Sequence, residues 1–264
     1  MYGFDYQRPA DAAAAAAAIQ GDARYLAGGQ SLVQAMRLRL SQSERLVDLG
    51  GIAALKGIRV DGGQVSIGAM TTHATVAASP EVRRAIPALA ELAGGIGDAM
   101  VRNMGTLGGS IANADPAACY PAALLGLGAT VRTDRREIPA AQFFTGLYET
   151  ALQPGELVVE VAFPAPQAAA YEKFRQPASR FALVGVFVAR GAEGVRVAVT
   201  GAKSHVFRAK PIEDALAANF TPEAAKAVKL PATGINADLH GSADYRAAMI
   251  SVMAARAVAA ALAR

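Results

Sequence analysis

Apolar positions along the chain follow two rhythms, one helical and one alternating. Ala12 to Ala18 is an unbroken alanine run, a strong helix former, with Asp11 before it as a candidate N-cap. Tyr25-Leu26-Ala27 reads as a short strand. Leu32 to Leu40 reads as a helix, with Val33, Met36 and Leu40 at helical spacing, and Arg45 to Leu49 as another strand. This β–turn–α–β order predicts a small α/β unit with parallel strands. After a turn at Gly62-Gly63, Val65 to Ala69 alternates as a strand. Ser79-Pro80-Glu81 opens a helix with Val82, Ile86 and Leu89 on its apolar face and Gly94-Gly95 at its end. Pro121 to Leu127 is apolar on all sides and predicts a buried helix. Ala129 to Arg132 reads as a strand, and Phe143 to Gly146 as an anchor in a loop or short helix. Leu157, Val159, Val161 and Phe163 alternate with Val158, Glu160 and Ala162, which predicts a strand with one buried face.

Pro164-Ala165-Pro166 is a stiff junction. Beyond it, Ala170 to Phe174, Ala182 to Ala189 and Val195 to Thr200 read as strands, the last two joined by a hairpin turn over Arg190 to Gly194. The period then becomes helical, over Ile212 to Asn219, Pro222 to Val228 and from Asp244 onward. Ser242 is a cap for the last helix, and Tyr245, Met249, Val252 and Met253 form its core face. These shifts divide the chain into residues 1–56, 57–164 and 165–264, an α+β architecture in which two α/β subdomains precede an antiparallel sheet with helices.

Composition narrows the function classes. The 26 basic and 22 acidic residues are interspersed, and the net charge of +4 forms no block, so nucleic-acid binding is not expected. No run of 18 strongly apolar residues suggests a membrane span, and the N-terminal residues lack a signal-peptide pattern, which points to a cytoplasmic protein. Cys119 is the single cysteine, so this chain by itself is expected to hold neither a disulfide nor a thiolate-bound zinc or iron–sulfur cluster. His73, His205 and His240 are far apart and show no metal-ligand spacing. Neither H-E-x-x-H nor G-x-S-x-G occurs.

Two stretches carry the candidate chemistry. In Ala27-Gly28-Gly29-Gln30-Ser31-Leu32-Val33, a glycine turn opens a helix, an arrangement that aims free amides at an anion. In Gly105 to Ala118, glycines at 105, 108 and 109 remove Cβ atoms, while Thr106, Ser110 and Asn113 supply short polar side chains, so a nest for phosphate or a polar heterocycle is expected. Neither stretch matches the dinucleotide fingerprint, and Gly201-Ala202-Lys203-Ser204 lacks the upstream glycine of a P-loop.

Together with Gly68-Ala69-Met70-Thr71-Thr72-His73, Ile96-Gly97-Asp98, Val101-Arg102-Asn103, Ala114 to Ala118, Tyr171-Glu172-Lys173-Phe174 and Ser242 to Arg246, these stretches form an ordered set from about residue 2 to residue 262. The set resembles the FAD-binding medium subunits of molybdenum hydroxylases, a family that includes carbon monoxide dehydrogenase medium chains and the flavin domain of xanthine dehydrogenase. The resemblance implies two N-terminal FAD-binding subdomains of the vanillyl-alcohol-oxidase-like type, followed by a C-terminal antiparallel sheet with a helical bundle. It implies that Ala27 to Val33 wrap the diphosphate of FAD, and that Thr106, Gly108, Gly109 and Ser110 hold the diphosphate and ribityl region from the other side. It also implies that Ile96 and Val159 line the cofactor and that Lys173 lies near the flavin, where a cation favours the reduced ring. The chain departs from the pattern at Cys119, where many relatives have an aspartate that contacts adenosine, and at Arg180, where relatives often carry an aspartate. The implied partners are a large subunit with a molybdenum cofactor and a small [2Fe-2S] subunit, in a heterotrimer or its dimer. Electrons would arrive from the clusters and leave to an external acceptor. The alternatives are a stand-alone FAD oxidoreductase and a non-enzymatic homologue that has lost flavin.

Overall fold

The computed structural model describes residues 1–264. Its first layer is a three-stranded parallel sheet in which β3 (Arg45–Asp48) lies between β1 (Asp5–Gln7) and β2 (Ala23–Leu26). Helix α1 (Ala12–Ala18) starts where Asp11 accepts a hydrogen bond from the Ala14 amide. Helix α2 (Leu32–Arg37) is shorter than its periodicity predicts. Arg39 takes a left-handed backbone, φ 58°, and only Met36 of the helix is buried, so Leu40 leaves the core face and is exposed.

A five-stranded antiparallel sheet follows, in the order β4 (Ile58–Asp61), β5 (Gln64–Gly68), β10 (Val158–Pro164), β6 (Thr130–Thr133) and β7 (Glu137–Pro139). Between β5 and β6 run α3 (His73–Ala78), α4 (Pro80–Ala85), α5 (Pro87–Gly94), α6 (Ala99–Met104), α7 (Leu107–Asn113) and α8 (Tyr120–Leu127). The single helix expected after Ser79 is two helices. Pro87 has no amide to continue the ladder, and Ile86 leaves helical geometry at φ −142°, ψ 73°. Helix α8 is buried along its whole length, as its composition predicts. Helix α9 (Ala140–Phe143) leads into a small hairpin of β8 (Phe144–Gly146) and β9 (Glu149–Thr150).

The alternation expected in β10 is broken. Its register shifts between Val158 and Glu160, a β-bulge that re-aims the side chains on either side. Val158, Val161 and Phe163 enter the main core, whereas Leu157 and Val159 pack with Val47, Leu49, Ile52 and Leu55 against the first layer.

The last layer is antiparallel, in the order β11 (Ala168–Arg175), β12 (Ala182–Gly191), β13 (Gly194–Thr200) and β14 (Phe207–Arg208). Both of its faces are covered. Phe187, Ala189 and Ala198 join α8 in a core cluster of 35 buried residues that reaches back to Val65. Val184, Val186, Val188, Val197 and Val199 face α10 (Lys210–Ala218), α11 (Pro222–Ala227) and α12 (Ala243–Leu262). Ser242 caps α12 through the Tyr245 amide. Arg246 fastens this helix to the sheet by donating to the carbonyls of Leu183 at 2.7 Å and Gly201 at 3.0 Å and to Asp238 at 2.7 Å. By length and composition α12 could cross a membrane, at a mean hydropathy of 1.3, which the sequence reading did not find; 56% of that stretch is buried inside the protein.

Candidate functional site

The two glycine-rich stretches meet. A side-chain carbon placed on Gly28 would overlap the Met104 carbonyl and lie 2.8 Å from the Gly105 Cα, so only a bare backbone lets the first turn touch the second. Gly108 likewise packs on Ala69, where a Cβ would lie 2.5 Å from the alanine Cβ. Beside this contact opens a cavity of about 480 Å³. Ala27, Gly28, Gly29, Gln30, Ser31 and Leu32 line one wall. Thr106, Gly108, Gly109 and Ser110 line the facing wall, and Ile96, Cys119 and Lys173 complete the set of expected residues found there.

Two expected residues are not among the lining. Val33 tucks its side chain beneath the turn, where a Cβ on Gly29 would lie 3.0 Å from it. Val159 is carried away from the cavity by the bulge in β10, and Leu157 and Val158 line the cavity in its place.

The two walls offer different chemistry. At the first turn, Gly29 adopts φ +70° and α2 begins without a side-chain cap. The amides of Gly29, Gln30, Ser31 and Leu32 donate to no acceptor in the protein, which leaves the open donors of a helix start facing the cavity wall. The second stretch is not the open nest that its glycines suggest. It folds as the first turn of α7, and its donors are used: Leu107 N–H to the Thr71 carbonyl at 3.0 Å and Gly108 N–H to that of Ala69 at 2.8 Å. Gly109 N–H donates to the Thr106 hydroxyl at 3.1 Å and Ser110 N–H to the Thr106 carbonyl at 3.0 Å. What this wall presents is backbone at Gly108 and Gly109, whose missing Cβ atoms leave room for Ala69, Ala27 and Thr106, and the side chains of Ser110 and Asn113.

His73 was not among the expected site residues, because a lone histidine gives no local signal of a ligand contact. It lines the cavity, is 4% exposed, and lies against Gly105; its Nδ1 has no partner. Burial, and then the charge of Arg102, lower its pKa to about 4, so it is a neutral imidazole at pH 7. Its backbone N–H donates to the Gly105 carbonyl at 3.0 Å. Asp115 also lines the cavity, and burial raises its pKa. Lys173 donates to the Gly95 carbonyl at 2.8 Å and to the Cys119 Sγ at 3.4 Å. Glu156 enters the lining from the opposite side. Arg136 pairs with it at 2.9 Å and holds its pKa down to about 2. No group of three or more metal-ligating side chains occurs.

Open amides on one wall, small polar side chains on the other and an apolar Ile96 beside a lysine fit a cofactor with a diphosphate and a flat ring. These features define a flavin-dinucleotide-binding protein. Comparison with known proteins makes the assignment specific. Residues 2–166 match the family of the FAD binding domain in molybdopterin dehydrogenase. The carbon monoxide dehydrogenase medium chain of Hydrogenophaga pseudoflava is 38% identical over 99% of this chain and 98% of its own. The nicotine 6-hydroxylase medium subunit of Paenarthrobacter nicotinovorans is 34% identical over 92% and 91% of the two chains. The solved structure of reconstituted CO dehydrogenase from Oligotropha carboxidovorans superposes with a TM-score of 0.91 at 34% identity, over 100% of this chain and 99% of that one. The chain belongs to this family of FAD-binding proteins of molybdopterin dehydrogenases, and FAD is its cofactor.

Proposed function

We propose that the chain is the electron-transfer subunit of a heterotrimeric molybdenum hydroxylase of the cytoplasm. It receives electrons from the [2Fe-2S] clusters of a small partner and delivers them to an external acceptor, while a large molybdenum-cofactor partner oxidises the substrate. The observation that carries this reading is the pair of unlike walls, one with unused amides and one without. The amides of Gly29 to Leu32 suit the diphosphate of FAD, Ser110 and Asn113 the ribityl hydroxyls, and Ile96 and Lys173 the ring. Cys119 stands 3.4 Å from Lys173, so in this reading it lies at the ring end of the cofactor and not at the adenosine end that the resemblance implies. When bound, FAD supplies the two-electron carrier, and the chain's own residues bind it, orient it and set the charge around it. The single cysteine and the lack of a metal-ligand cluster fit a division of labour in which iron–sulfur and molybdenum sites reside on other chains. The medium-chain and medium-subunit names of the relatives point the same way.

The test is the visible spectrum of the purified protein, with heat release of the cofactor and identification of co-purifying chains. Near one FAD per chain, together with a larger molybdenum-containing and a smaller iron–sulfur chain, is expected. FAD without partners would favour a stand-alone oxidoreductase. A colourless protein that takes up no added FAD would overturn the reading.

A further inference from the structure

Four basic side chains from three different elements converge on the turn Gly95-Ile96-Gly97. Lys173 of β11 donates to the Gly95 carbonyl at 2.8 Å. Arg102 of α6 donates through one Nη to the carbonyls of Ile96 at 2.9 Å and Gly97 at 3.3 Å. Arg180, in the loop between β11 and β12, donates to the Gly97 carbonyl at 3.4 Å. Arg175, at the end of β11, places an Nη 3.5 Å from the point where a Gly95 Cβ would be. Carbonyls orient these cations but do not neutralise them, and none of the four has a carboxylate within ion-pairing distance.

The nearby acids are engaged elsewhere or stand apart. Asp98 caps α6 through the Val101 amide, Glu91 pairs with Arg264, and Asp115 accepts from the Ala117 amide. Glu172 alternates with Lys173 along β11 and so points to the other face. Arg180 is held rather than trailing. Its backbone is left-handed at φ 62°, its N–H donates to the Gln176 carbonyl at 2.8 Å, and the adjacent Ser179 N–H donates to the Gln176 side chain at 2.6 Å. Ile96, Gly97, Lys173 and Arg180 all line the cavity, so the cluster forms a rim of it.

Uncompensated like charges repel one another, and a fold that gathers four of them around one turn is relieved by an anion. Three of the four are guanidinium groups with unused donors in a fixed fork, a geometry that matches phosphate and sulfonate oxygens. A single negative charge on a reduced flavin leaves most of this charge unanswered. We propose that the rim binds the anionic group of the external electron acceptor, a small molecule of the phosphate- or sulfonate-bearing class, beside the ring end of FAD. The proposal rests on the FAD reading above. Two electrons pass from the reduced cofactor to the bound acceptor, which is reduced as the cofactor is oxidised; the balancing protons exchange with solvent.

The test uses the full-length, FAD-loaded protein and inorganic pyrophosphate as probe, followed by titration calorimetry, with flavin content read from the spectrum of each sample. Saturable binding by the loaded protein is expected, weakened at least ~10-fold in the double variant R175Q/R180Q with its flavin content unchanged. In parallel, the photoreduced protein is mixed with 1,2-naphthoquinone-4-sulfonate or the uncharged 1,2-naphthoquinone. The double variant is expected to slow reoxidation by the sulfonate alone. Three results would overturn the proposal: pyrophosphate binding that vanishes once FAD is loaded, which marks the cofactor's own diphosphate site; binding that the double variant leaves intact; or equal slowing with both quinones. A protein that fails to take up FAD overturns the functional reading instead, and the flavin content shows this before any probe is added.

Discussion

The two glycine-rich walls of the cavity look alike as strings of residues and differ in what they leave free. At the first, α2 starts uncapped and the amides of Gly29 to Leu32 have no acceptor in the protein. At the second, Thr106 caps α7 and the carbonyls of Ala69 and Thr71, in the turn after β5, take the amides of Gly108 and Leu107. Glycine content therefore does not measure ligand-binding capacity. At Gly28 and Gly108 the missing Cβ serves contact between protein segments, and at Gly29 it serves a left-handed backbone. One wall is poised to bind, and the other is a finished structural element that supplies shape.

The contrast is broken most severely where the walls touch. In Gly28→Ala, the new methyl group meets the Met104 carbonyl, which belongs to the backbone and cannot rotate away. The walls must part. A stability loss of about 3 kcal/mol is expected, together with loss of most bound flavin. Denaturant midpoints and the flavin-to-protein absorbance ratio check this. A variant that keeps both would show that the two stretches need not touch.

His73 makes the second wall alone sensitive to pH. Its folded-state pKa of about 4 lies below the ordinary histidine value of 6.5. The unfolded chain therefore binds the proton first as pH falls. The stabilisation is complete above about pH 6.5 and is lost as pH drops toward 4, amounting to about 2 kcal/mol between pH 7.5 and pH 5. Thermal unfolding at these two values, compared with His73→Leu, tests the assignment. The variant is expected to lose this component of the pH dependence, and equal pH dependence in both proteins would place its origin elsewhere.

What was legible in the sequence follows the same line. Local signals carried through: Asp11, Ser79 and Ser242 each cap the helix they precede, and the apolar run after Pro121 is a buried helix. The break at Ile86 had its signal in Pro87, which helical periodicity masked. The bulge that turns Val159 away from the cavity had none, because the residues alternate without a flaw and the register shift arises from pairing with β6. Which amides of the glycine stretches stay free could not be read locally either. It depends on Ala69 and Thr71, far enough back in the chain that only the fold brings them alongside α7. The cluster on Gly95 to Gly97 is scattered between Arg102 and Arg180 for the same reason.

The finest test separates capping from binding with two hydroxyl deletions. Thr106→Ala removes the oxygen that accepts from Gly109, a lost cap worth about 1 kcal/mol. The Ser31 hydroxyl makes no cap bond, so Ser31→Ala is expected to change stability by less than about 0.5 kcal/mol. Affinity for FAD runs in the other order. Ser31 stands among the free amides, and loss of its hydroxyl is expected to weaken FAD by roughly 3- to 10-fold, the scale of one hydrogen bond. Thr106→Ala changes affinity only as far as α7 frays. Chemical denaturation of the flavin-free proteins gives the stability order, and FAD fluorescence quenching on titration gives the affinity order. Opposite orders follow if one wall binds through its backbone and the other through its shape. The same order in both measurements would mean that the walls share one role.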